Sequence, residues 1–178
     1  MGDFLRVFPP VLLVVVFAAS SLAKVAGAFP GFEGSVRALR LVPARWARAV
    51  AAGVIGVEIV VAGLLVTPWY TGGLALAAGV LAVFAVVAMV TRRRGLAVPC
   101  TCFGPGTAGG PPLGTPHAVR NALLAGVAIA GLFGRPATDD WAGAGVAGVA
   151  ALVCAALVLR FEDIVALFGR PPGARRAP

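Results

Sequence analysis

The chain has 178 residues, of which 60% are hydrophobic and 12% are charged, and its formal net charge is +8 at pH 7. Soluble domains are usually close to half apolar and a quarter charged, so this composition excludes an ordinary soluble protein and indicates a membrane protein. The basic residues lie between apolar runs and not on one polar face. This distribution argues against nucleic acid as a partner and favours contacts with anionic lipid headgroups.

Five apolar runs approach the roughly 20 residues that a helix needs to cross a bilayer. The first run ends in small residues, as a cleaved signal peptide does, but Asp3 offsets Arg6 ahead of it, so we predict a retained helix. The sequence therefore predicts an all-α integral membrane bundle of four helices plus a fifth, C-terminal one. The runs cover residues 7–23, 47–66, 71–90, 119–133 and 141–159, and the fourth is the shortest.

The segment between the first two runs fits two interpretations. Phe32, Val36 and Leu39 recur at helical spacing while Arg37 and Arg40 face elsewhere, which suits a short helix lying in the membrane interface. Its basic charges suit a solvated connector equally well. The sequence leaves both interpretations open.

The Lys and Arg residues are distributed unevenly between the two sides of this arrangement. All of the 15 except Arg6 and Arg135 fall in the first loop, the third loop or the C-terminal tail. The positive-inside rule then places the N-terminus outside and the C-terminus in the cytoplasm of a multi-pass protein of the plasma membrane. Residues 161–178 form a basic cytoplasmic tail, and we predict that its proline-rich end, residues 169–178, is disordered.

Glycines recur within the apolar runs. The stretch GAGVAG, residues 143–148, matches the fingerprint of dinucleotide-binding folds, but it lies inside a lipid-length run without the preceding strand that such a site needs. We interpret these glycines as small residues that allow close helix packing. The same interpretation applies to Gly53, Gly56, Gly63 and Gly79.

The longest polar interruption, residues 95–118, holds Cys100 and Cys102, two of the three cysteines. Cysteines at positions i and i+2 can close into a small strained disulfide ring, and strained disulfides are the ones that exchange readily. Pro99 stiffens the turn, and the arginines at 92–94 favour the thiolate form. The sequence therefore predicts a dithiol/disulfide exchange site.

Two other interpretations of this loop stay open. Cys100, Cys102 and His117 offer two thiolates and an imidazole, a partial ligand set for zinc or copper, although a fourth ligand is missing and the spacing matches no standard site. The cysteines could instead fill a turn in a non-catalytic membrane subunit. Cys154 lies midway along the last run, and we interpret it as an inert small hydrophobic residue.

Glu58 lies midway along the second run, where a bare carboxylate is costly and such residues are functional by default. We predict a role in proton transfer or in positioning a bound group. The alternative is an ion pair or hydrogen bond that locks helices together, with Lys24 or Arg120 as the partner. Ser20 lies one turn before Lys24 and could join that network.

The surroundings of the cysteines resemble a known family. Basic residues close a membrane helix and are followed by VPCTCFG, a glycine-rich stretch and RN at the start of the next run. This pattern is similar to that of the MauE family of methylamine-utilisation membrane proteins, which is related to DoxX-like four-helix proteins. The resemblance covers residues 4–133, including SSLAK and the glutamate in GVEIVVAGLLV. It implies a membrane domain over residues 1–134, and the additional helix predicted at 135–160 and the tail lie outside the shared part.

The resemblance also implies a function in thiol redox chemistry, inferred from a requirement for maturing the disulfide-rich small subunit of methylamine dehydrogenase. The partner would be a protein that contains thiols or disulfides. No cofactor motif is evident, and a quinone is the second electron acceptor only by analogy. In the family pattern Cys100 and Cys102 are the redox pair, and the accompanying positions are Glu58, Lys24, Arg120 and Asn121.

This function conflicts with the distribution of charge. Maturation of an exported subunit calls for thiols on the outer side, whereas the arginines place the third loop in the cytoplasm. A relay of electrons through the bundle would reconcile the two, and so would a loop that folds back into the membrane.

Overall fold

The computed structural model describes residues 2–96, 98, 113–134 and 141–161, and all regular structure within these ranges is helical. The prediction of an all-α fold is confirmed for this part of the chain. The elements are α1 (Gly2–Ala23), a π-helical segment (Lys24–Ala28), α2 (Phe29–Ala38), a 3-10 turn (Ala44–Trp46), α3 (Ala47–Leu65), α4 (Tyr70–Arg93), α5 (Thr115–Gly131) and α6 (Trp141–Leu159).

Within the part of the chain that the structure describes, four helical segments are long and apolar enough to cross a membrane, and they identify a multi-pass membrane protein. The fourth apolar run forms α5, which has 17 residues and is therefore shorter than these segments. A fifth span thus stays a prediction. The four segments are Phe4–Ala26, Ala44–Leu65, Tyr70–Arg93 and Trp141–Leu159.

The first loop contains a helix that continues directly from α1. The chain passes from α1 through the π-helical segment into α2 without a break and leaves the helical conformation near Arg40, whose φ is 51°. Val36 of α2 is buried in a small apolar cluster with Ala47 and Ala51 of α3, and Phe32 packs against it. Of the two interpretations that the sequence left open, the structure has the short helix, and its apolar face packs against α3.

α5 contacts other helices at both of its ends. α4 packs most extensively against α5, and α1 packs against α6 and α3. Gly131, at the end of α5, lies against the beginnings of two helices: a Cβ added to it would lie 2.9 Å from Pro9 Cβ of α1 and 3.0 Å from Leu74 Cδ1 of α4. The opposite end of α5 lies near the end of α1.

The prediction of close helix packing is wrong for most of the glycines that suggested it. Within the described residues, a Cβ added to any of them would meet no atom within 4 Å, because they lie on faces that no helix of the same chain covers. Gly131 and Gly73 do lie at close helix contacts. The uncovered glycines are Gly53, Gly56, Gly63, Gly79, Gly145 and Gly148.

α5 begins at Thr115, before the apolar run that predicted it, so residues 115–118 belong to this helix and not to the predicted 95–118 loop. Gly114 precedes it in an extended conformation, and Pro116 lies in its first turn, where a missing N–H breaks no helical hydrogen bond. Cys100, Cys102 and the segment 169–178 that is predicted to be disordered lie outside the described residues.

Candidate functional site

A buried ion pair joins the end of α1 to the middle of α3. Lys24 Nζ lies 2.5 Å from Glu58 Oε1, and both side chains are almost fully buried, with 1% and 2% exposed. Lys24 Nζ also donates a hydrogen bond to Ser20 Oγ at 2.9 Å, and Ser20 Oγ donates to Glu58 Oε1 at 3.1 Å. Of the two partners considered from sequence, Lys24 therefore fills that role, and Ser20 joins the network.

This arrangement follows from the positions of the charges in apolar helices. Neither charge can reach water, so each needs a partner of opposite sign, and one turn of helix brings Ser20 alongside Lys24. Lys24 is the first residue of the π-helical segment, a distortion often found at functional sites. Glu58 Oε2 is buried without a hydrogen-bond partner among the described residues, so the carboxylate keeps unused accepting capacity.

A second polar group lies at the beginning of α5. His117, Arg120 and Asn121 are all buried there, with 2%, 6% and 7% of their surfaces exposed. The Arg120 guanidinium lies over the Phe161 ring at 5.9 Å, beyond the end of α6. The first turns of α5 therefore hold three buried polar side chains.

His117 is the third candidate metal ligand that the sequence offered beside the two cysteines. The described residues contain no group of three candidate metal ligands. Because Cys100 and Cys102 lie outside those residues, the metal interpretation stays open.

The two polar groups share one cavity of about 270 Å³. The polar residues of its lining are Lys24, Ser35, Arg120 and Asn121, and the rest of the lining is apolar. Its aromatic residues are Phe32 of α2 and Phe84 of α4, and the Lys24 ammonium lies 4.8 Å from the Phe32 ring centroid. The cavity is therefore apolar along most of its wall and carries donor groups on the remainder.

The segment that contains the two cysteines is anchored at this cavity. Val98 and Leu113, the described residues nearest to its two ends, both line the cavity. The Leu113 amide donates a hydrogen bond of 2.8 Å to the Val98 carbonyl, which closes the base of the loop. Val98 is also buried, with 3% of its surface exposed.

The structure thus brings together four positions that the sequence marked separately, namely Lys24, Glu58, Arg120 and Asn121. Their functional roles stay predictions. His117 lies one turn earlier on the same helix as Arg120 but does not line the cavity. Sequence reasoning missed the cavity itself, because Phe32, Phe84 and Val98 are apolar residues in apolar surroundings and no sequence signal separates them from lipid-facing ones.

These features define a multi-pass helical membrane protein with a buried ion pair beside an apolar cavity. Residues 2–134 match the family described as Methylamine utilisation protein MauE, and the chain belongs to this family. The resemblance seen in the sequence is thereby confirmed. No curated protein and no solved structure was found to match the chain.

Proposed function

We propose that the protein is a membrane thiol–disulfide redox protein whose Cys100 and Cys102 exchange electrons with a partner protein. In the direction that matures a partner, two thiols of the partner lose two electrons and two protons and form a disulfide. The Cys100–Cys102 disulfide accepts them and becomes a dithiol. Membership of the MauE family supports a partner that acts in methylamine utilisation.

The observation that carries this proposal is the anchoring of the cysteine segment at the cavity. Cys100 follows Val98 by two residues, and consecutive Cα atoms are about 3.8 Å apart, so the Cα atoms of these two residues cannot be more than about 8 Å apart. Val98 shares its cavity with the cationic side chains Lys24 and Arg120. Positive charge close to a thiol stabilises the thiolate, which is the species that attacks a disulfide.

We also propose five membrane spans, with the N-terminus outside and the C-terminus in the cytoplasm of the plasma membrane. The contacts at the two ends of α5 support the additional span, because Gly131 lies against the beginning of α1 while Asn121 shares a cavity with Lys24 at its end. The unequal distribution of Lys and Arg supports the orientation. The cysteine loop then faces the cytoplasm.

The test is to trap the mixed disulfide in cells. Cys100→Ser and Cys102→Ser each leave a single thiol in the cysteine segment. We expect one of these thiols to attack the partner's disulfide and accumulate a covalent complex, because no second cysteine of the segment resolves it. The complex is detected by non-reducing electrophoresis and should disappear under reductant. The double variant should lose redox activity while its amount in the membrane stays unchanged.

Cys154→Ser is the matched control. Cys154 packs at the edge of the apolar core on α6, so its replacement should neither trap a partner nor alter redox activity. If neither loop variant traps a partner and the double variant keeps full function, thiol exchange is refuted. A non-catalytic membrane subunit would then account for the protein.

A further inference from the structure

We propose that the cavity binds the ring of a lipid-soluble quinone, whose apolar tail leaves between α3 and α4 into the lipid. This inference rests on the proposed thiol chemistry for its purpose and on the described helices for its geometry. It names the electron acceptor that would return the cysteine pair to its disulfide form.

The route for the tail is a second, wider depression between α3 and α4, of about 550 Å³. It shares Val50, Val54, Val83 and Phe84 with the cavity, so the two lie side by side and only apolar residues line both of them. Gly53 and Gly79 also line this groove, and the absence of their side chains keeps it open. An apolar chain can therefore run from the cavity to the membrane without crossing a polar barrier.

The polar part of the cavity offers hydrogen-bond donors that the described protein does not use. An ammonium group has three N–H donors, and Lys24 directs two of them at Ser20 and Glu58. Asn121 is 7% exposed, lines the cavity and has no side-chain hydrogen bond among the described residues. Buried polar groups are normally hydrogen-bonded, so these donors indicate a ligand with carbonyl acceptors.

The remaining lining fits a planar ring. Phe32 and Phe84 present aromatic rings to the cavity, and aromatic groups favour offset or edge contacts with another ring. The volume of about 270 Å³ is close to the lower end of ligand pockets, which begin at roughly 300 Å³. A quinone ring fits this combination better than a phospholipid headgroup, which would place a charged and strongly hydrated group against these apolar walls.

The redox step balances with a quinone as the co-reactant. Two S–H bonds of the Cys100–Cys102 dithiol break and one S–S bond forms, and the two electrons and two protons that are released convert the quinone to its quinol. The quinol then leaves through the groove to the membrane. The anchoring of Val98 and Leu113 at the cavity wall supports this transfer, because they flank the segment that carries the dithiol.

The test uses the full chain, purified in nanodiscs of synthetic phosphatidylcholine and titrated with decylubiquinone by calorimetry. We expect saturable binding of one quinone per chain. Asn121→Leu should weaken binding by about tenfold, the effect of losing one buried hydrogen bond. An azido-quinone should label α3 and α4 at the segments that contain Val54 and Phe84 after photolysis, as mapped by mass spectrometry.

Val83→Trp and Val86→Trp form a matched pair. Both valines are on α4 and are similarly exposed, at 59% and 61%, but Val83 lines the cavity and the groove whereas Val86 lines neither. Val83→Trp should weaken quinone binding by about tenfold or more, whereas Val86→Trp should bind as the native chain does. Equal binding by the two variants would overturn the proposal.

Two further arms separate this proposal from its alternatives. If phosphatidylglycerol displaces the quinone at equal concentration, the cavity holds a lipid headgroup and the proposal is wrong. Binding is also measured with both loop cysteines replaced by serine, where it should persist because the site is built from the helices. Persistent binding without any trapped partner would refute thiol exchange alone, whereas a trapped partner without saturable binding would refute the quinone site alone.

Discussion

Breaking the Lys24–Glu58 pair should destabilise the protein far more than its single hydrogen-bonded contact suggests. The two side chains are 1% and 2% exposed, so replacing one of them leaves the other as a buried charge without a partner. Such losses cost about 3–5 kcal/mol, whereas apolar replacement of a whole buried pair is often close to neutral. We therefore expect Lys24→Met and Glu58→Leu each to destabilise strongly and the double variant to recover most of the loss.

The measurement is thermal unfolding of the full chain in one detergent, followed by circular dichroism. At roughly 2–4 °C per kcal/mol for a chain of this size, each single variant should lower Tm by about 6 °C or more. The exposed Arg37–Glu33 pair on α2 is the control, because its side chains are 58% and 21% exposed and lie 2.7 Å apart. Breaking it with Glu33→Gln should cost under about 1 kcal/mol.

The comparison among variants decides whether the pair acts as a unit. A double variant as unstable as the sum of its singles would refute the reasoning, because the effects would then be independent. Single variants whose Tm falls no further than that of the Glu33→Gln control would also refute the reasoning. Either result would mean that the buried charges are compensated by groups other than each other.

Three further predictions follow from the same structure. If Glu58 also transfers protons, the Lys24→Met/Glu58→Leu variant should be stable yet redox-inactive in a partner-oxidation assay. Gly131→Ala should lower Tm, because overpacking against Pro9 costs about 1–3 kcal/mol, whereas Gly63→Ala, which adds a methyl group in open space, should not lower it. Reporter fusions after Arg94 and at the C-terminus should both report the cytoplasm, and disagreement between them would exclude a spanning α5.

The sequence predicted the helices well because lipid imposes a simple requirement on them. Every backbone polar group in the hydrocarbon must be paired within its own segment, so long apolar runs become helices whatever they pack against. The buried pair was foreseeable for a related reason, since Glu58 in a lipid-length helix needs a compensating charge. Lys24 was one of two candidates that the sequence supplied.

The cavity and the glycine faces were not predictable in this way. An apolar residue such as Phe84 looks the same in sequence whether it faces lipid, a packed helix or an internal space. The difference depends on how α2, α3 and α4 cross, which periodicity does not specify. Gly63 and Gly131 likewise share a residue type, yet only Gly131 of these two meets another helix.

The π-helical segment Lys24–Ala28 fixes the rotational register between two parts of the protein. Each residue of an α-helix turns the chain by about 100°, so deleting one residue here would rotate α2 by about that angle relative to α1. Phe32 and Val36 would then turn away from the cavity even though no side chain in either helix had changed. Beyond Lys24 itself, the constraint on this segment is therefore its length: substitutions at Val25, which is 66% exposed, should be tolerated, while a deletion there should close the site.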